Sequence, residues 1–211
     1  MSKRAEYLGP ERRRPLVLDA AEEIFAEGGF ANASMSAIAA RAGVSKAVLY
    51  DCFPGGKSEI YVSLLDRTFD VFLAHMVEAL DRANELPIED GLRLGLTAFM
   101  DYAEINPRGF HVLFAGPGTG DKQITRRAFE VKQKIIERMS QRTKRIVEAA
   151  GIPMTPAIEV YNRSIAAIAR ELGLWILEDP KLPKAELIEA IVRWLMLGFE
   201  RIVPDGVAQT T

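Results

Sequence analysis

Residues 34–53 read SMSAIAARAGVSKAVLYDCF, and the fold follows from how that stretch is punctuated. Ser34 is suited to cap a short helix over Met35–Ala42 that Gly43 stops, and Ser45 a second over Lys46–Phe53. A serine in extended backbone accepts from the unbonded first amides of a helix, and glycine ends one by taking positive φ. Two short helices joined by Gly43-Val44-Ser45 form the tight corner of a helix-turn-helix. Ile38, Ala39 and Val48 or Leu49 can pack toward Ile24 and Phe25, while Ala42 lets the helices cross closely and Val44 plugs the corner. The N-terminal end and outer face of the second helix are then left for a DNA major groove.

Working outward, proline and glycine mark helix ends along the rest of the chain, and no segment alternates with the period of a strand. Pro15 can open a first helix with Val17, Ala20, Ala21, Ile24 and Phe25 on one face, ended by Gly28-Gly29. After Pro54-Gly55-Gly56 a long helix runs from about Lys57 to Asn84. Further helices are expected from Pro87 to Ile105, from Pro107 (capped by Asn106) to Phe114, and from Asp121 to Ala150. Two more run from Thr155-Pro156 to Asp179 and from Pro183 to Pro204-Asp205-Gly206. The expected class is all-α, with about nine helices. A basic, flexible arm over 1–12 would precede a three-helix domain over 13–60, with a helical bundle over 61–211.

Composition is that of an ordinary globular protein, with 48% hydrophobic and 27% charged residues and a net charge of −2. No apolar run approaches the roughly 18 residues of a membrane span, so no membrane partner is expected. The N-terminal segment lacks the apolar stretch of a secretion signal. A single cysteine, Cys52, fits a reducing cytoplasm. That thiol reads either as a core gap-filler or as a redox switch. His75 and His111 are too isolated for a metal site, and no cofactor is expected. No nucleophile has a neighbouring base, so an enzyme is not expected. Within residues 1–60 eight basic side chains balance eight acidic ones, but the signs are sorted. Asp19, Glu22, Glu23 and Glu27 cluster on the first helix between basic segments that can face phosphate.

Residues 13–65 resemble the DNA-binding domain of the TetR (tetracycline repressor) family of bacterial regulators. The likeness lies in Val17-Leu18 with Ala20-Ala21 and Ile24-Phe25, and in Gly29-Phe30. It continues through Ser34, Ile38-Ala39, Ala42-Gly43-Val44-Ser45, Leu49-Tyr50, Phe53-Pro54-Gly55-Gly56-Lys57 and Ile60. Carried over by position, the resemblance implies that Ser45, Lys46, Ala47 and Val48 lie at the DNA, the last three facing base edges. Tyr50 would bond a phosphate, with a core role as the alternative. Ser34 and Lys57 would hold flanking phosphates, and Arg12, Arg13 and Arg14 would track the backbone or minor groove. The sequence departs from the family at Asp51-Cys52, where a histidine or tyrosine often follows the Leu-Tyr pair. Asp51 then either points away from phosphate or accepts from a cytosine amine.

The last helix repeats apolar residues at Ala185, Ile188, Val192, Leu195, Phe199 and Ile202, with a second stripe at Leu187, Ile191 and Trp194. Such a helix needs cover on two sides, either from its own chain or from a partner. With the small residues Ala166, Ala169 and Gly173 on the preceding helix, the first stripe reads as a homodimer seam. A four-helix interface across a two-fold axis is what the resemblance implies. The aromatic and bulky set Phe99, Met100, Tyr102, Phe110, Val112, Leu113, Phe114, Phe129, Tyr161, Ile165 and Trp175 reads as core or, with the family resemblance, as the lining of a small-molecule pocket. The expected effector is apolar or amphipathic. Residues 121–150 carry nine basic against four acidic side chains, a solvated face or a site for an acidic head group such as an acyl-coenzyme A. Together these features point to a cytoplasmic repressor released from palindromic double-stranded DNA by its ligand. Activation is the alternative, as is control by a protein partner.

Overall fold

The computed structural model describes residues 10–116, 118–149 and 151–202, and among these every regular element is helical. In chain order they are α1 (Pro10–Asn32), α2 (Met35–Arg41), α3 (Lys46–Cys52), α4 (Gly56–Ala83) and α5 (Ile88–Ile105). Then come α6 (Pro107–Phe110), α7 (Lys122–Ala149), α8 (Pro156–Glu178) and α9 (Lys184–Ile202). The capping chemistry sets the boundaries. Ser34 Oγ accepts from the Ala37 amide at 3.1 Å, Ser45 Oγ from Val48 at 3.2 Å, and Thr155 Oγ1 from Ile158 at 3.3 Å. Asp121 Oδ1 accepts from the amides of Gln123 and Ile124 at 2.9 and 3.1 Å and so starts α7. Gly43 takes φ 65°, the left-handed conformation the corner between α2 and α3 requires.

Three boundaries differ from the sequence reading. The first helix begins at Pro10, so Pro15 lies inside it and residues 10–12 are helical instead of part of an arm. Pro10 takes the first-turn position itself and Glu11 sits at the positive helix end. The rest of the expected arm, with Lys3 and Arg4, lies outside the described residues, as does the Pro204-Asp205-Gly206 stop. At the other end of α1 the helix breaks at Gly29 (φ 71°, ψ 169°) before a last turn at Phe30–Asn32. The segment after Asn106 is α-helical only to Phe110 and continues as a π-helical turn, His111–Ala115. Such a turn holds one extra residue per bonded loop.

The chain divides into two compact units. One comprises the described residues up to Phe69 together with His111–Val131, and the other Asp70–Phe110 with residues from Lys132 onward. A split at residue 60 would cut the first core in two. Its buried members include Val17, Phe25, Ile38, Leu49 and Phe53, but also Ile60, Tyr61, Leu64 and Leu65 of α4, Val112 of the π-turn and Ile124 of α7. Phe25, Phe30 and Tyr61 meet with ring centroids 5.1–5.8 Å apart. Ser58 and Arg127 clamp the start of α7 to α4 through Asp121 and Asp66. In the second unit α5 packs on α8 and α9. Arg93 links α5 to Glu189 of α9, and Lys184 returns to Asp101 and Glu104. These pairs are partly exposed and modest in energy, so the apolar contacts dominate.

Candidate functional site

The first candidate surface is α3. Leu49 and Cys52 are fully buried against the core of the first unit, while Ser45, Lys46, Ala47, Tyr50 and Asp51 are exposed and Val48 is half-buried. Tyr50 is 47% exposed, so the alternative of a core tyrosine does not hold. Cys52 is a buried filler whose thiol burial pushes above its ordinary pKa, the opposite of a reactive thiolate. The acidic cluster on α1 does not face outward unpaired. Arg41 bonds Glu23 and Glu27, and Arg67 bonds Asp19 and Glu22.

Two expected phosphate contacts are engaged elsewhere. Arg14 turns into the first unit, where Nη1 donates to the Cys52 carbonyl and pairs with Glu59 at 3.6 Å. Its guanidinium lies 4.1 Å from the Phe53 ring centroid. Lys57 Nζ donates to the carbonyls of Phe30 and Ala33 at 2.7 and 2.9 Å, above the Phe30 ring. Those carbonyls follow the Gly29 break and have lost their helical partners, which is why a cation is drawn inward. Lys57→Ala is expected to lower unfolding free energy by about 2 kcal/mol, the scale of charged hydrogen bonds lost. Urea unfolding checks it, since a side chain reserved for phosphate would leave the midpoint unchanged. Ser34 remains exposed at the start of α2, and Arg12 is exposed and Arg13 half-buried on α1.

The second candidate is a cavity of about 110 Å³ within the second unit. Its lining includes Leu73, Met76 and Leu80 of α4, Leu92 and Leu96 of α5, and Ile165 of α8. Of the residues read as lining a ligand pocket, only Ile165 lines it. Phe99, Met100, Tyr102 and Phe110 are 0–1% exposed and are core. Their rings lock edge to face, Phe99 against Phe110 at 5.5 Å and Phe72 against both Phe99 and Tyr102 at 5.6 and 5.1 Å. Tyr161 lies against Phe199 with ring centroids 5.6 Å apart and planes tilted by 50°. Phe114 and Phe129 belong to the first unit, and Phe129 is 61% exposed. Large rings fill space efficiently; the open space lies instead beside Gly95 of α5, where a Cβ would meet nothing within 4 Å. That glycine was the sequence signal for the cavity.

The third candidate is an apolar groove of about 600 Å³ along α8 and α9, lined by Ile168, Leu172, Trp175, Leu187, Ile191 and Trp194. Trp194 is 59% and Trp175 49% exposed. The stripe read as a homodimer seam is not on this surface. Ile188, Val192, Leu195 and Phe199, with Ala169 and Gly173, are buried in their own unit; Ala166 and Ile202 are half-buried. Gly173 is small for an intramolecular reason, since a Cβ there would lie 2.3 Å from Phe110 Cζ. The second stripe is the one that lacks cover. Among the described residues no group of His, Cys, Asp or Glu could hold a metal ion, and no helix is long and apolar enough to cross a membrane.

Comparison with known proteins agrees with this geometry. Residues 17–64 match the family described as bacterial regulatory proteins, tetR family. The HTH-type transcriptional activator FasR of Mycolicibacterium smegmatis is 27% identical over 201 residues, spanning 95% of this chain and 89% of its own length. The fold is that of FadR from Bacillus subtilis, solved with stearoyl-CoA, at a TM-score of 0.73 and 19% identity over 87% of this chain and 98% of FadR. It is also that of SmeT, solved with triclosan, at a TM-score of 0.68 and 21% identity over 93% and 94% of the two chains. Residues 17–64 thus carry the helix-turn-helix domain of the tetR family, and the chain along nearly its whole length is similar to TetR-like bacterial transcriptional regulators.

Proposed function

We propose that the protein is a dimeric, ligand-responsive DNA-binding regulator in which α3 reads one half-site of a palindrome. The carrying observation is the division of α3 into a buried face, Leu49 and Cys52, and an exposed face with Lys46, Ala47 and Tyr50. Lys46 supplies base-edge and charge contacts, Ala47 and Val48 shape complementarity, and Tyr50, Ser34, Ser45 and Arg13 contacts at the backbone. With so few hydrogen-bonding side chains on α3, DNA shape carries part of the specificity.

A second copy of the chain covers Trp194 and Trp175, and the pair presents two reading helices at a set spacing. The cavity of the second unit takes an apolar or amphipathic effector. The solved complexes of FadR with stearoyl-CoA and SmeT with triclosan support this class. Because α4 is one continuous helix with residues in both units, it is the element through which ligand binding biases DNA binding. The bias equals the differential affinity of the ligand for the two states, typically about 1–3 kcal/mol. The sign of control is repression relieved by the ligand. Activation is the second reading, favoured by the name of FasR.

Selection of bound sequences from random DNA should return a palindrome, and in vitro transcription from that operator decides the sign. On the selected site Lys46→Ala should lose about 1–3 kcal/mol with relaxed discrimination and a shallower salt dependence. Tyr50→Phe should lose about 1 kcal/mol on every sequence alike. Equal affinity of the wild type for all duplexes would refute the reading.

A further inference from the structure

Arg142 of α7 stands at the boundary of two spaces in the second unit, the ligand cavity and a smaller one of about 70 Å³; Asn84 and Arg145 line both as well. Its Nη2 donates to the Leu86 carbonyl, but Nη1 is buried and has no partner among the described residues. The guanidinium occupies the room that Gly91 leaves. A Cβ at Gly91 would lie 1.3 Å from Nη1 and 2.3 Å from Cζ. Burial disfavours its charge and lowers its pKa, opposed by the field of Asp90, whose carboxylate is already bonded to Arg93. An arginine stays protonated even so, which leaves cationic N–H donors inside the protein with nothing to accept them. Such a group costs stability unless a ligand completes it. Around it the lining carries Arg138 and Arg145 as well, against one carboxylate, Asp81. Asn84, Gln141 and Thr143 add neutral polar groups, and most of the rest, with Leu73, Met76, Leu80 and Ile165, is apolar.

The geometry points to a binding site for an amphipathic oxyanion, whose hydrocarbon tail lies among these apolar side chains and whose carboxylate or phosphate head accepts from Arg142 Nη1. The inference rests on the cavity being the effector site, and it names the class of effector and the residue that selects it. A site with an unpaired buried donor discriminates against analogues lacking the acceptor much more strongly than an apolar pocket discriminates by size.

Calorimetric titration of the full-length chain with decanoate, decyl phosphate and decanol, below their aggregation limits, tests it. On the wild type, decanoate or decyl phosphate should bind about ten- to a hundredfold tighter than decanol, the scale of one charge-assisted hydrogen bond in a buried site. Whichever anion binds better identifies the head group. Arg142→Met should erase the preference while leaving decanol affinity within about threefold. Gly91→Ala keeps the arginine but displaces its guanidinium, and should narrow the preference too. Thermal melts establish that each variant is folded, and if Arg142→Met is not, the wild-type preference and Gly91→Ala decide. Equal binding of decanol and the anions by wild type, or a preference that survives Arg142→Met, overturns the head-group assignment and leaves the cavity as an apolar effector site. Binding of none of the three overturns both.

Discussion

Trp194→Glu is expected to convert the protein to a monomer at micromolar concentration and to weaken operator binding by about a hundredfold or more. Trp194 is 59% exposed, lines an apolar groove with Trp175, Leu187 and Ile191, and has no cover among the described residues. An indole buried at the centre of an interface is worth at least about 2 kcal/mol, and a two-fold axis counts it twice. A carboxylate placed there must also be desolvated beside its own symmetry mate, which adds repulsion. Operator affinity falls with dimerisation because a lone helix-turn-helix reads only a half-site. Sedimentation equilibrium measures the first effect and fluorescence anisotropy on the selected operator the second. The variant should keep its helix content, since the side chain stands in solvent, and its thermal midpoint should fall only by the association energy lost. A variant that stays dimeric would place the seam elsewhere.

Phe110→Ala should cost about 3–5 kcal/mol of stability, a drop in Tm of about 10 °C for a chain of this size. The ring is 0% exposed, meets Phe99 and Tyr102, and reaches over Gly173. Had Phe110 lined an open effector pocket, as its place in the aromatic set implied, truncation would alter ligand affinity and leave Tm nearly unchanged. The Gly173 contact supplies a further check. Gly173→Ala alone drives a methyl into the ring and should cost about 1–3 kcal/mol. In the Phe110→Ala background the same change should be neutral or stabilising, because the methyl enters vacated space and alanine is the better helix former by about 1 kcal/mol. Denaturant unfolding of the four proteins gives the coupling directly, and additive effects would show that the two residues do not touch.

Short-range physics was legible in the residues alone. Ser34, Ser45, Thr155 and Asp121 act through their own side chains on amides two or three residues away, so the helix starts are local properties of the chain. Gly43 and Gly29 mark turns because only glycine takes their backbone angles cheaply. The buried and exposed faces of α3 follow from helical periodicity in the same way. Which side of an all-round apolar helix faces home was not a local matter. Ile188 and Trp194 both lie on apolar stripes of α9, and only the packing of α5 and α8 decided that the first is core and the second is left exposed. Lys57 and Arg14 carry charges that the family resemblance assigns to phosphate, while in the folded chain carbonyls left open by the Gly29 break and at Cys52 draw them inward. Cavities are likewise properties of what fails to fill space. Tertiary packing turned Phe99, Met100, Tyr102, Phe110 and Tyr161 into core, left Phe129 and Trp175 exposed, and left the void beside Gly95 and Arg142.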